Sequence, residues 1–194
     1  MVLVIAAVGT SGSGKTTALE YLISRLSAEK YKIGSVKHVH HEGFTMDQEG
    51  TNTWRYAQAG AKVIVAVSPD EIAIIKREKV ALNNLDQITG LVERESLDIL
   101  FVEGFHRLVA KRTDVPKIIT ADDEENLKRT LEGTVEPILA ITGVISETKP
   151  KVSGLKIPIL SLETEGEQLV ELVKECFKEK LGRLSKKTEA KDLN

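Results

Sequence analysis

Val2-Leu3-Val4-Ile5-Ala6-Ala7-Val8 runs directly into Gly9-Thr10-Ser11-Gly12-Ser13-Gly14-Lys15-Thr16, and an amphipathic stretch follows over residues 16–27. The first run is continuously apolar, the pattern of a short strand buried on both faces. The second satisfies G-x-x-x-x-G-K-[ST], the phosphate-binding loop. The order matters, because such a loop works when a strand delivers it to the start of a helix whose free N–H groups can hold phosphate oxygens. Gly9, Gly12 and Gly14 allow turns that a Cβ would obstruct, so successive amides converge on one anion. Lys15 brings a mobile positive charge to the outer phosphates, and Thr16 offers Mg²⁺ a hydroxyl ligand. The helix from Thr17 onward adds its dipole beneath them. The expected nucleotide-binding set is Gly9, Ser11, Gly12, Ser13, Gly14, Lys15, Thr16 and Thr17, with a nucleoside triphosphate as ligand.

Working outward, apolar runs recur at residues 32–36, 62–67, 72–75, 97–102, 117–120, 138–141 and 157–160. Helix-length amphipathic segments occupy 82–95, 124–131 and 166–181. This alternation predicts an α/β, P-loop NTPase-like fold: a mostly parallel sheet flanked by helices. Residues 62–67 and 72–75, joined by Ser68-Pro69-Asp70-Glu71, read instead as a local antiparallel hairpin, with Pro at a turn position. Gly34, Gly104 and Gly133 read as punctuation in connections. A single nucleotide-binding domain is expected over residues 1–181, followed by a flexible tail over 182–194.

The composition narrows the class. A chain of 194 residues suits one such domain and can bury roughly 70% of its unfolded surface. With 27 Lys and Arg against 29 Asp and Glu the formal charge is −2, which argues against nucleic acid as a partner. No apolar run approaches a membrane span, and the N-terminal run enters the phosphate loop instead of a cleavage site, so a cytoplasmic protein is expected. The lone Cys176 excludes an internal disulfide and a multi-cysteine metal site. Its neighbours Leu169, Leu172, Val173 and Phe177 lie at helical spacing, which predicts core packing.

Two further segments carry chemistry. Asp98-Ile99-Leu100-Phe101-Val102-Glu103-Gly104-Phe105 ends an apolar run on an acid, where ligands collect on an open parallel sheet. Glu103 is therefore the expected acid near Mg²⁺ together with Thr16, and Asp98 the residue that starts the strand. Val36-Lys37-His38-Val39-His40-His41 concentrates three of the four histidines at another strand end. Alternation would place His38 and His40 on one face and Lys37 and His41 on the other. Lys37, His38, His40 and His41 suit an anionic ligand, since Lys supplies charge and His donates hydrogen bonds. A zinc site is the alternative, although H-x-H-H matches no established zinc spacing. Asp47-Gln48-Glu49-Gly50 fits D-x-x-G without a strand leading into it, and reads as a substrate- or metal-facing loop. A short helix should follow, capped near Asn52 or Thr53 and ended at Gly60.

These segments together resemble the molybdopterin-guanine dinucleotide biosynthesis protein B family, MobB. The resemblance rests on Gly9 to Thr17, on Lys37-His38-Val39-His40-His41 with Phe44-Thr45-Met46-Asp47 and Gly50, and on Arg55 with Ala59-Gly60-Ala61. Val102-Glu103-Gly104-Phe105 and Pro116-Lys117-Ile118 complete it, and it spans roughly residues 2 to 175. It implies a GTP-binding, weakly GTP-hydrolysing, dimeric accessory protein that works beside a MobA-type nucleotidyltransferase on molybdopterin or its carrier. It further implies that Lys15 and Glu103 support hydrolysis, that Thr16 and Glu103 serve Mg²⁺, and that Lys37, His38, His40 and His41 line an adjoining anion site. The chain departs from the family pattern at Thr51-Asn52, where Lys-Asp is common, and at Thr142-Gly143-Val144, where a small residue and Asp are frequent. It has no N-K-x-D element, so GTP in preference to ATP is implied by the resemblance alone. A P-loop small-molecule kinase, with His106, Arg107, Lys111 and Arg112 as a cover, and a nucleotide-gated adaptor are the alternatives that the residues leave open.

Overall fold

The computed structural model describes residues 2–41, 43–78, 83–150 and 154–191. The chain forms two compact units: Met1–His38 with Asn83–Asn194, and Val39–Leu82. Residue 82, which starts the expected 82–95 helix, lies outside the described residues.

The larger unit is an α/β layer structure around five parallel strands. These are β1 (Leu3–Val8), β2 (Ile33–Lys37), β5 (Ile99–Glu103), β6 (Lys117–Thr120) and β7 (Ile138–Thr142), in the order β2-β5-β1-β6-β7. The central strand β1 is nearly sealed, with Ile5, Ala6 and Ala7 fully buried, as its unbroken apolar run predicts. Alternation then sorts the side chains. Leu3, Ile5, Ala7, Phe101 and Ile118 meet Leu19, Leu22 and Leu26 of α1 (Lys15–Ala28) and Leu169, Val170 and Val173 of α7 (Leu162–Lys191). Ile119, Ala121 and Ile141 pack instead with Leu127 of α5 (Glu124–Glu132) and Ile145 of α6 (Ile145–Thr148). Helices therefore cover both faces, which is what a parallel sheet requires. Cys176 packs half-buried against the first of these cores, and burial pushes its thiol pKa up, in keeping with a packing role.

Several expectations shift in detail. The 82–95 segment forms only α3 (Leu85–Gly90), followed by a short 3₁₀ turn, Glu93–Glu95. Gly90 is the last helical residue, so the helix stops short of the expected end at 95. Residues 157–160 do not make a strand but a single bridge, Ile141 to Ile159. Pro158 has no N–H to give the ladder; its carbonyl accepts from Ile141 N, and Leu160 N returns to Ile141 O. Gly34 lies inside β2 rather than in a connection, at a position where a Cβ would overlap the Leu97 side chain. The last helix starts earlier and continues to Lys191 instead of ending at Leu181. The Lys, Glu, Arg and Ala residues beyond 181 favour helix by intrinsic propensity even where little is buried.

The smaller unit contains α2 (Asn52–Gln58) and the antiparallel hairpin β3 (Val63–Val67) and β4 (Ile72–Lys76), in register Val65 to Ile74. Its turn closes as predicted: Ser68 N donates to Glu71 O at 2.8 Å, and the Ser68 hydroxyl accepts from Glu71 N. The helix cap falls one residue before the expected range. Thr51 Oγ1 accepts from Trp54 N, and the same hydroxyl lies 3.1 Å from Asp47 Oδ1, which also accepts from Thr53. The D-x-x-G aspartate thus ties its own loop to the start of α2. Thr51, at a position where the chain departs from the pattern it resembles, shares this aspartate with Thr53.

Candidate functional site

The phosphate loop joins β1 to α1 at the carboxyl end of the sheet's central strand. Gly12 and Gly14 hold φ of 82° and 95°, the left-handed region that favours glycine. At Gly12 a Cβ would meet nothing within 4 Å, so the turn is demanded by backbone direction and leaves open space above it. Helical bonding begins with Ala18 N donating to Gly14 O, which leaves the amides of Lys15, Thr16 and Thr17 ahead of the first helical donor. Ser11, Thr16 and Thr17 are exposed on this rim, whereas Ser13 is fully buried.

Ser13 therefore supports the loop from beneath. Its hydroxyl donates to Thr10 O and lies 2.6 Å from Thr120 Oγ1 at the end of β6, while Asn126 Nδ2 donates to Thr10 Oγ1. At Gly9 a Cβ would overlap the Thr120 carbonyl, and at Gly143, φ 98°, it would overlap Ser13 O. Thr120, Asn126 and Gly143 thus form a floor that the motif alone did not reveal. The available signals were a threonine at a strand end and an Asp123-x-x-Asn126 helix start.

Glu103 reaches the loop from the neighbouring strand. Register sets it beside Ala7 of β1 and Lys37 of β2, and Gly104, φ 84°, turns the chain away immediately afterwards. Thr16 Oγ1 stands 3.1 and 3.2 Å from the two Glu103 oxygens. Lys37 Nζ lies 3.0 Å from Glu103 Oε1 and 3.4 Å from Thr16 Oγ1. The carboxylate is only 13% exposed and the lysine 55%. Lys15 donates to the carbonyls of Gly9, at 3.0 Å, and Thr10. Burial lowers the Lys15 pKa, with Glu103 acting in the opposite direction and Lys37 adding to the lowering. Asp98, at the far end of β5, accepts from Lys32 N as a strand-start residue should.

The histidines do not remain together on one strand. β2 ends at Lys37, so the predicted alternation stops before it reaches them. His38 stacks on Phe105 with ring centroids 4.5 Å apart, and its backbone N–H donates to Glu103 O. His40 and His41 belong to the smaller unit and are exposed in an irregular segment. Among the described residues, no group of three or more His, Cys, Asp or Glu side chains is placed to hold a metal ion. The hydroxyl and carboxylate of Thr16 and Glu103 are hard oxygen donors of the kind Mg²⁺ takes, with phosphate and water as its customary further ligands. Lys117, of the Pro-Lys-Ile segment, is structural: fully buried, it donates to the carbonyls of Arg112 and Val135.

A strand, a left-handed glycine loop, a helix and an acid on the adjacent parallel strand define a P-loop NTPase-like protein. The family model described as "Molybdopterin guanine dinucleotide synthesis protein B" matches residues 4–143, and the chain belongs to this MobB family. A molybdopterin-guanine dinucleotide biosynthesis adapter protein of Haemophilus influenzae is 33% identical over 69% of this chain and 70% of its own length. A probable protein of the same description from Bacillus subtilis is 29% identical over 64% of this chain and 68% of its own. The crystal structure of Bacillus subtilis MobB shares the fold, with TM-score 0.70 and 24% identity over 90% of this chain and 97% of that one. No helix among the described residues is long and apolar enough to cross a membrane.

Proposed function

We propose that this chain is a GTP-binding accessory protein in the formation of molybdopterin guanine dinucleotide, holding Mg²⁺ and GTP at the phosphate loop and hydrolysing GTP slowly. The observation that carries the reading is the meeting of Thr16, Glu103 and the Gly12–Gly14 turn in a chain of this family. Lys15 would balance phosphate charge, Thr16 and Glu103 would hold the metal, and Lys37 and His38 would serve the outer phosphates. His40 and His41, in the smaller unit, are assigned to an anionic group of molybdopterin or its carrier. The name adapter protein borne by the relatives supports an accessory role; a MobA-type nucleotidyltransferase as partner and the cytoplasm as location are part of the proposal. Titration with fluorescent GTP and ATP analogues in Mg²⁺ should give saturable binding that prefers GTP, with slow phosphate release and no need for an acceptor. No binding of either nucleotide would overturn the reading.

The homodimer belongs to the same proposal. On one face of the hairpin, Val63, Val65, Val67, Ile72 and Ile74 are each more than half exposed, with Lys76, the partner of Val63, as the charged residue at one end of that face. A two-stranded sheet is marginal by itself, and a largely apolar face of β-branched residues is self-complementary, which suits a second copy of the chain. Val65→Lys combined with Ile74→Lys should convert a dimer to a monomer in light scattering after size exclusion. A dimer mass unchanged by both substitutions would place the interface elsewhere.

A further inference from the structure

We propose that Lys37 is a tethered cation that competes with the divalent metal for Thr16 and Glu103, so that these ligands disfavour a bare metal ion. The proposal rests on the nucleotide reading above and deepens it.

Three observations carry it. First, register leaves little freedom: Lys37 and Glu103 end adjacent parallel strands as direct partners. Second, the ammonium lies against both proposed metal ligands at once, 3.0 Å from Glu103 Oε1 and 3.4 Å from Thr16 Oγ1. An ammonium and a divalent cation cannot share those oxygens at such separations, because like charges repel most strongly where the surroundings are partly desolvated. Third, the two partners differ in freedom. Glu103 is held in place, 13% exposed, by the strand and by the Thr16 hydroxyl, whereas Lys37 is 55% exposed on a flexible four-carbon stem. Lys37 is therefore the member of the pair that can leave.

The consequence is an exchange of counter-ions. With Lys37 on Glu103 the carboxylate is neutralised without metal, and a divalent ion must displace the ammonium to reach it. A metal that arrives with a polyphosphate brings a new anion for the released ammonium; a metal alone brings none. The ligand pair thereby selects metal–nucleotide over free metal, with no further residue needed.

The test uses the full chain and Mn²⁺, whose free ion is counted by electron paramagnetic resonance, with no nucleotide present. Lys37→Met should bind Mn²⁺ about tenfold or more tightly than the unaltered chain, the scale of one charged hydrogen bond. Lys37→Arg should retain the weak binding, and Glu103→Gln added to Lys37→Met should abolish the gain. Lys37→Gln, which keeps a polar tip, is measured in parallel so that a folding defect in the methionine variant does not remove the comparison. Mn²⁺ affinity in the neutral variants equal to or below that of the unaltered chain overturns the proposal, as does a gain that survives Glu103→Gln. GTP titration of the same samples keeps the two readings apart. A chain that binds no GTP overturns the function proposed above, while the Mn²⁺ comparison still decides the competition.

Discussion

Lys15→Ala is expected to weaken binding of Mg²⁺ and GTP by about 10- to 150-fold, the range that corresponds to about 1.5–3 kcal/mol for one charged hydrogen bond. Thermal stability should barely change. The reason lies in where the ammonium sits. It donates to the Gly9 and Thr10 carbonyls of its own loop, is partly withdrawn from water, and has its pKa lowered by that burial. The fold therefore gains little from this charge, whereas a polyphosphate, with several negative oxygens, would gain much. Fluorescence titration and a thermal melt on one preparation separate the two effects. Unchanged affinity would remove the assignment of the loop, and a large loss of stability with it would show that Lys15 is chiefly a structural cross-link.

Phe101→Ala should be the most destabilising single truncation in the sheet. Its ring is fully buried in the middle of β5, paired in register with Ile5 on one side and Ser35 on the other, and belongs to the core beneath α1 and α7. Deleting a buried Phe ring costs about 3–5 kcal/mol, because the transfer energy is lost and the close-packed surroundings only partly refill the cavity. For a chain of this length that corresponds to about 6–20 °C in melting temperature. Urea denaturation monitored by circular dichroism measures it directly. Phe101 stands two residues before Glu103 with its side chain on the sheet face that packs against α1, so GTP affinity at low temperature should remain near that of the unaltered chain. A change below about 1 kcal/mol would mean that this core can close over the gap.

The two predictions reflect how unevenly the protein could be read. The strand–loop–helix at the N-terminus was legible because each part has a local cause: continuous apolarity for burial on both faces and glycines for left-handed turns. Glu103 was legible for a similar reason, since an acid that ends a buried strand must emerge at the sheet's carboxyl edge. The hairpin also followed from local pattern, with Pro69 in a short turn between two β-branched runs. Other features had no local cause. Residues 157–160 look like a strand in composition, yet Pro158 limits them to a single bridge. The histidine run suggested a common strand face, but β2 stops at Lys37 and His38 stacks on Phe105, nearly seventy positions away in sequence, at a distance no periodicity encodes.

What this sequence determined by itself was the fold class: a glycine loop on a buried parallel strand, an acid on the strand beside it, and the segments that the MobB family model matches. Those follow from residue type and near-neighbour spacing, which act through local sterics and burial. Only the tertiary structure decided which groups meet: Thr120, Asn126 and Gly143 as the floor of the loop, and Lys37 on Glu103 and Thr16. The physical reason is strand order. β2 comes to lie beside β5 and β6 beside β1 because burying the sheet's two faces requires crossovers, and those crossovers bring together side chains that sequence distance keeps apart.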